Sequence, residues 1–163
     1  AETLLFIQKH DFADFDALSD YADAASARTK ELTAKIKAAE NRMAEIAVLK
    51  THIINYAKTR DIYTAYRKAG YSKKYYDAHE SDIIIHKAAK KAFDDLALKK
   101  LPTVKSLQAE YSDLLVQKKL DYAELSRARD EAKQLQIYKA NAEMLLRTDA
   151  EEQRQTREHQ QEK

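Results

Sequence analysis

Five histidines, His10, His52, His79, His86 and His159, are the side chains best suited to acid–base or metal chemistry. His79 and His86 lie seven apart, hence on roughly one face of a helix, and Asp82 stands four before His86. A metal site from these three is conceivable, but the spacings match no known zinc arrangement. Ordinary, partly exposed histidines are the expectation, with no metal and no cofactor. The carboxylate pairs Asp94-Asp95 and Glu151-Glu152 are adjacent, and adjacent residues do not face each other on a helix, so they read as solvated surface. A single Gly rules out phosphate loops of the Walker or dinucleotide type, which need several. The absence of Cys removes thiolate nucleophiles, thiolate metal sites and a disulfide framework. No pair of groups suggests tuned acid–base work, so no catalytic residue is assigned and an independent enzyme is not expected.

Charge is more informative. Residues 58–105 hold twelve Lys and Arg against six Asp and Glu, net +6, while the segments on either side are each net −2. The whole positive excess of this +2 chain therefore sits in one stretch. There Arg67, Lys68, Lys73 and Lys74 interleave with Tyr63, Tyr66, Tyr71, Tyr75 and Tyr76, and Lys87, Lys90, Lys91, Lys99, Lys100 and Lys105 follow. A basic surface attracts nucleic-acid phosphates and releases their counterions, and exposed tyrosines can stack on unpaired bases. The candidate DNA contacts are thus Arg67, Lys68, Tyr71, Lys73, Lys74, Tyr75, Tyr76, Lys87, Lys90, Lys91, Lys99, Lys100 and Lys105. The plainer reading weighs more on composition alone: tyrosines filling a helical cluster, lysines merely solvated. An acidic protein partner is a third.

The elements that must position these residues follow from composition. Ala, Leu, Lys and Glu, the residues at least cost in a helix, are common, and one Gly and one Pro leave little to interrupt long helices. We expect an all-α fold: two long helices pairing antiparallel as a coiled coil, with a shorter middle helix forming a small cluster at the turn end. A short apolar helix is expected over 2–10. The first long helix is expected over 14–68, on the seam Phe15, Leu18, Ala22, Ala25, Thr29, Leu32, Ile36, Ala39, Met43 and Ile46, whose steps alternate between three and four. The steps Met43 to Ile46 to Leu49 make a stammer, after which the seam runs Ile53, Tyr56, Arg60 and Tyr63. Gly70 suits the left-handed position that ends a helix. The middle helix is expected over 72–97, capped by Ser72, with Ile84, Ile85, Ala88, Ala89, Ala92, Phe93 and Leu96 on its apolar face.

Pro102-Thr103 opens the last helix, 102–146. Its seam is Val104, Leu107, Tyr111, Leu114, Lys118, Asp121, Leu125, Ala128, Ala132, Leu135, Ala142 and Leu146, with Lys118 and Asp121 as polar positions that specify register. Together 1–146 form the helical module. Residues 147–163 lose apolar periodicity, and frayed helix or disorder is expected. No apolar run approaches the ~20 residues of a membrane span. The start at Ala1 reads as the middle of a helix, so a piece of a longer protein without a signal peptide is expected, in a reducing cytoplasm.

Four stretches then suggest a family: KAAENRMAEIAVLKTHIINYAKTRD (Lys37–Asp61), YRKAGYSKKYY (Tyr66–Tyr76), HKAAKKAFDDL (His86–Leu96) and LKKLPTVKSLQAEY (Leu98–Tyr111). In this order they resemble the C-terminal helical region of relaxases, the mobilization nucleases of Gram-positive integrative and conjugative elements, over roughly residues 1–146. The resemblance implies a nuclease domain elsewhere that nicks one DNA strand at a transfer origin with a tyrosine and a metal held by a histidine-hydrophobic-histidine motif. Here Ile83-Ile84-Ile85-His86 lacks the first histidine and no tyrosine matches the nucleophile, so no catalytic residue carries over. The implied role is a non-catalytic module that assists DNA processing or transfer by contacting origin or single-stranded DNA. The rival role is a protein–protein adaptor docking the coupling protein or another relaxosome component, with Leu115 and Tyr122 as candidate contacts. A spacer or dimerisation arm is the third, and monomer and homodimer are both open.

Overall fold

Low-cost helix formers set between few breakers give long helices. The computed structural model describes Glu2 and residues 15–162, and among these there are helices and no strand. The helices are α1 (Phe15–Lys68), α2 (Lys73–Ala78), α3 (Glu80–Asp95) and α4 (Val104–Gln161). The short helix expected over 2–10 lies outside the described residues, apart from Glu2. Two compact units divide the chain, one built from α1 up to Ile36 with α4 from Lys119, the other from Lys37–Lys118.

In the first unit the two long helices pair antiparallel. Leu18 and Ala22 of α1 are buried with Leu135 and Ala142 of α4, and Phe15, Ala25 and Tyr138 pack around them. Higher on α1, Leu32 and Ile36 meet the earlier α4 residue Leu125 beside Ala128. As numbers rise on one helix they fall on the other, which is the expected seam. Polar pairs flank it: Arg28 with Glu124, Lys139 Nζ with Asp23 at 3.5 Å, and the Tyr21 hydroxyl donating to Glu131 at 3.4 Å. Asp121 lies within the seam itself, 2% exposed, with Lys35 Nζ 3.5 Å from Oδ1.

In the second unit Ile46 and Leu49 of α1, Ala89 and Phe93 of α3 and Leu107 of α4 form one buried cluster, joined by Ile53, Tyr56 and Leu114. Arg42 grips Glu110 with two bonds, Nε to Oε1 at 2.7 Å and Nη2 to Oε2 at 3.1 Å. That fork holds the Glu110 carboxyl below the usual carboxylate range. Lys118 Nζ reaches Glu40 at 3.3 Å. Both polar seam positions thus face an opposite charge on α1.

The chain reverses over 69–103. α1 closes with paired bonds, Tyr71 N–H to the Tyr66 carbonyl (3.0 Å) and Gly70 N–H to that of Arg67 (3.1 Å). Gly70 sits at φ +66° between them. This is a Schellman cap, and its usual apolar contact is present as the Tyr66 and Tyr71 rings, 5.3 Å apart. Ser72 caps α2, accepting from the Tyr75 N–H. Thr103 Oγ1 accepts from the Ser106 N–H (3.0 Å) to start α4.

Four sequence expectations need correcting. The middle helix 72–97 is two helices, broken at His79, whose φ of −130° is not helical and whose N–H is shared by the carbonyls of Tyr75 and Tyr76. The buried face of α3 is Ile83, His86, Ala89 and Phe93, whereas Ile84, Ile85, Ala88 and Leu96 are exposed. Three consecutive isoleucines fit three phases of a helix, and small Ala89 with large Phe93 selects the phase of Ile83. Arg60 is exposed and Thr59 buried in its place, because α1 takes another step of three after Tyr56. Finally, α4 continues past Arg147 to Gln161 although Leu146 and every described residue after it are exposed. Glu, Gln and Arg are good helix formers, and Arg147 lies 4.0 Å from Glu143 one turn back.

Leu135 is 0% exposed and Leu146 52%, although both belong to the expected seam. Leu135→Ala should cost about 2–5 kcal/mol and Leu146→Ala less than about 0.5 kcal/mol, read from urea midpoints. Gly70 has open space where a Cβ would stand, so Gly70→Ala should cost only the left-handed backbone, about 1 kcal/mol. Ala97 ends α3 at φ +50° without being glycine. Ala97→Gly should raise the midpoint, the relief of about 1–2 kcal/mol exceeding the unfolded-chain entropy of about 0.4–1 kcal/mol.

Candidate functional site

The second unit gathers most of the chain's aromatic and unpaired basic side chains around the reversal. Tyr66, buried near the end of α1, is the hub. Its ring lies 6.0 Å from those of Tyr63 and Tyr76 and 6.1 Å from that of Tyr75. Lys87 of α3 places Nζ 5.9 Å from the centre of the same ring. Tyr75 ties α2 to α1 by donating its hydroxyl to the Ile62 carbonyl at 3.1 Å, and its ring packs on His79 at 4.3 Å.

One turn below, His86 is sandwiched. Tyr56 stacks on one neighbour contact at 4.5 Å (interplanar 21°) and Tyr63 at 4.4 Å (16°), both rings coming from α1. Thr59 Oγ1 lies 2.9 Å from His86 Nδ1. The single Thr59 hydroxyl proton goes to the Asn55 carbonyl at 2.7 Å, so Nδ1 carries the proton and donates, and the neutral ring leaves Nε2 as an acceptor. Burial, then the nearby Lys90 charge, push the imidazole below its ordinary range.

The candidate residues all fall in this unit. Arg67, Lys68, Lys73, Lys74, Lys87, Lys90, Lys91, Lys99, Lys100 and Lys105 are exposed. Of the tyrosines, Tyr71 is 54% exposed at φ +60°, while Tyr75 and Tyr76 are half-buried in the cluster around Tyr66. Tyr71 is therefore the one of the three with most of its surface available for a base to stack on. Among the described residues, none of the twelve cations between 58 and 105 is in an ion pair, whereas Arg28, Lys35, Arg42, Lys118, Lys139 and Arg147, elsewhere, all are. Lys90 is brought together with Arg60 and Arg67 at one cleft of about 220 Å3, lined also by Tyr56, Tyr63, Thr64 and His86. Sequence reasoning placed Arg60 in the seam and read His86 as an ordinary, partly exposed histidine, whereas His86 is buried. The spacing of Arg60, Tyr63, Thr64 and Arg67, one helix stripe, is the signal that could have found the cleft. His79 and His86 do not form a metal centre with Asp82: among the described residues no three His, Asp or Glu side chains gather as a metal needs.

Since His86 is held neutral when folded and is free to protonate when unfolded, the unfolded chain binds more protons as pH falls through about 6.5. Its contribution to stability is complete above that pH and is lost below it. The melting temperature should fall between pH 7.5 and 5, and the profile of a His86→Phe variant should be flatter. A parallel pair of profiles would remove His86 as the cause.

Compared with protein-family models, with curated proteins and with solved structures, the chain matches none.

Proposed function

We propose that this chain is a non-catalytic helical module of a conjugative relaxase, acting in the cytoplasm by contacting DNA through its basic, tyrosine-rich reversal. What carries the DNA reading is the concentration of twelve cations, none of them in an ion pair among the described residues, in one segment of a nearly neutral chain. Exposed charges of one sign without carboxylate partners keep their field available to a polyanion. The resemblance of four ordered stretches to relaxase C-terminal regions supplies the biological setting. On this reading most of the affinity comes from phosphate contacts, since Tyr75 and Tyr76 are half-buried, and base stacking is left to the exposed Tyr71. The rival role, an adaptor for a protein partner, draws support from exposed apolar side chains on α4 such as Leu120 and Tyr122, whereas Leu115 is half-buried.

The two roles separate in a titration of a fluorescent single-stranded oligonucleotide at about 50 and 200 mM salt. Four phosphate contacts should weaken binding about 50-fold across that range. The quadruple variant Lys73→Glu, Lys74→Glu, Lys90→Glu and Lys91→Glu, all exposed and so expected to keep the native melting temperature, should lose binding. Undiminished binding by that variant removes this surface from the interface. No binding by the native chain at either salt favours the adaptor.

A further inference from the structure

The cleft beside His86 is more than part of a diffuse basic face. α1 contributes Arg60, Tyr63, Thr64 and Arg67, at positions i, i+3, i+4 and i+7 and so on one stripe, and α3 contributes His86 and Lys90, one turn apart. Three cations thus converge from two helices on a concave space of about 220 Å3 with no carboxylate among its lining residues. None of the three is in an ion pair or side-chain hydrogen bond among the described residues. Two helices joined by the aromatic sandwich thus bring three like charges to one cleft, where an anion would meet no competing carboxylate.

We propose that Arg60, Arg67 and Lys90 form a seat for a dianionic phosphoryl group, a phosphate monoester or inorganic phosphate. Three facing cations suit a dianion better than a singly charged phosphodiester of a continuous strand, and a concave space suits a compact terminal group. The guanidinium forks supply planar paired donors, the geometry for phosphate oxygens, and Lys90 adds a point charge. The same chemistry is offered by free phosphate and by the phosphorylated end of a nucleic-acid strand. The seat goes beyond the DNA-contact reading, since it adds Arg60, which is not among the candidate DNA contacts, and a free phosphate would fill it equally.

The test uses the full chain. Inorganic phosphate is titrated against chloride at matched ionic strength, following both the melting temperature and the imidazole resonances of His86. A saturable response is expected, at least tenfold weaker in the double variant Arg60→Gln, Arg67→Gln and unchanged in Lys73→Glu, Lys74→Glu. In a second arm, a 5′-phosphorylated oligonucleotide is compared with its unphosphorylated twin. Tighter binding of the phosphorylated strand that depends on Arg60 supports the seat and identifies a strand end as its source. Equal binding of the two strands together with a saturable phosphate response supports the seat with free phosphate as its source. A response that is absent, or that persists in the arginine double variant, overturns the seat. DNA binding without a phosphate response leaves the DNA reading standing and the seat refuted, and the reverse result separates them the other way.

Discussion

A seam one or two side chains wide is the constraint on which everything else in this chain depends. When two long helices pair, only every third or fourth residue is removed from water, so each buried position has few neighbours to share its load. Leu18, Leu32 and Ile46 on α1 and Leu107 and Leu135 on α4 are almost wholly buried, while most residues between them are solvated. Such a fold spends little sequence on its core and leaves most side chains to settle its charge. Along the paired stretches of each unit, α1 and α4 face each other with opposite signs, and cations such as Arg28, Arg42 and Lys118 find carboxylates on the other helix. Individually these surface pairs contribute little, yet they neutralise the flanks.

At the reversal that neutralisation stops. Between 58 and 105 there are twice as many cations as carboxylates, and two helices shorter than their neighbours must cover the end of α1. The interior there is filled by rings with polar rims: Tyr56, Tyr63, Tyr66, Tyr75 and His86. Aromatic side chains bury large apolar faces while their hydroxyl or ring nitrogen is satisfied by backbone or a neighbour, as Tyr75 does with Ile62 and His86 with Thr59. A ring-filled knob therefore holds its shape without lysine or arginine in its interior, and its cations are left on its outside.

Much of this architecture was legible in the residues, for a reason that also explains what was not. Period and breakers are local signals, so the seam through Leu18, Leu32 and Ile46, the stop at Gly70 and the start after Pro102 could be read directly. Phase is a tertiary choice. The run Ile83-Ile84-Ile85 is apolar in every phase, and only packing of Ala89 and Phe93 against α1 decides that Ile83 faces in. His86 was passed over because a histidine is judged polar by type, whereas its burial depends on two tyrosines one helix away. Arg60 was drawn into the seam by a step of four after Tyr56, where α1 instead takes a second step of three to Thr59. The cleft lies where those two misreadings meet: the stripe of Arg60, Tyr63, Thr64 and Arg67 was legible in the sequence, whereas the packing of His86 against it was a tertiary choice.

Why a histidine should occupy so central a place follows from its hydrogen-bond capacity. A leucine at 86 would leave the Thr59 hydroxyl oxygen without a donor in a buried layer, and a lysine would bring charge between two rings. Neutral imidazole does neither: Nδ1–H supplies the donor, and both faces of the ring pack against tyrosine. Its neutrality is itself imposed by burial and by Lys90. The floor of the cleft is thereby uncharged in its resting state, and the positive charge of the site resides on side chains that reach it from the rim. With an uncharged ring between the tyrosines the helices pack closely, and the charge of the cleft is left to the exposed Arg60, Arg67 and Lys90.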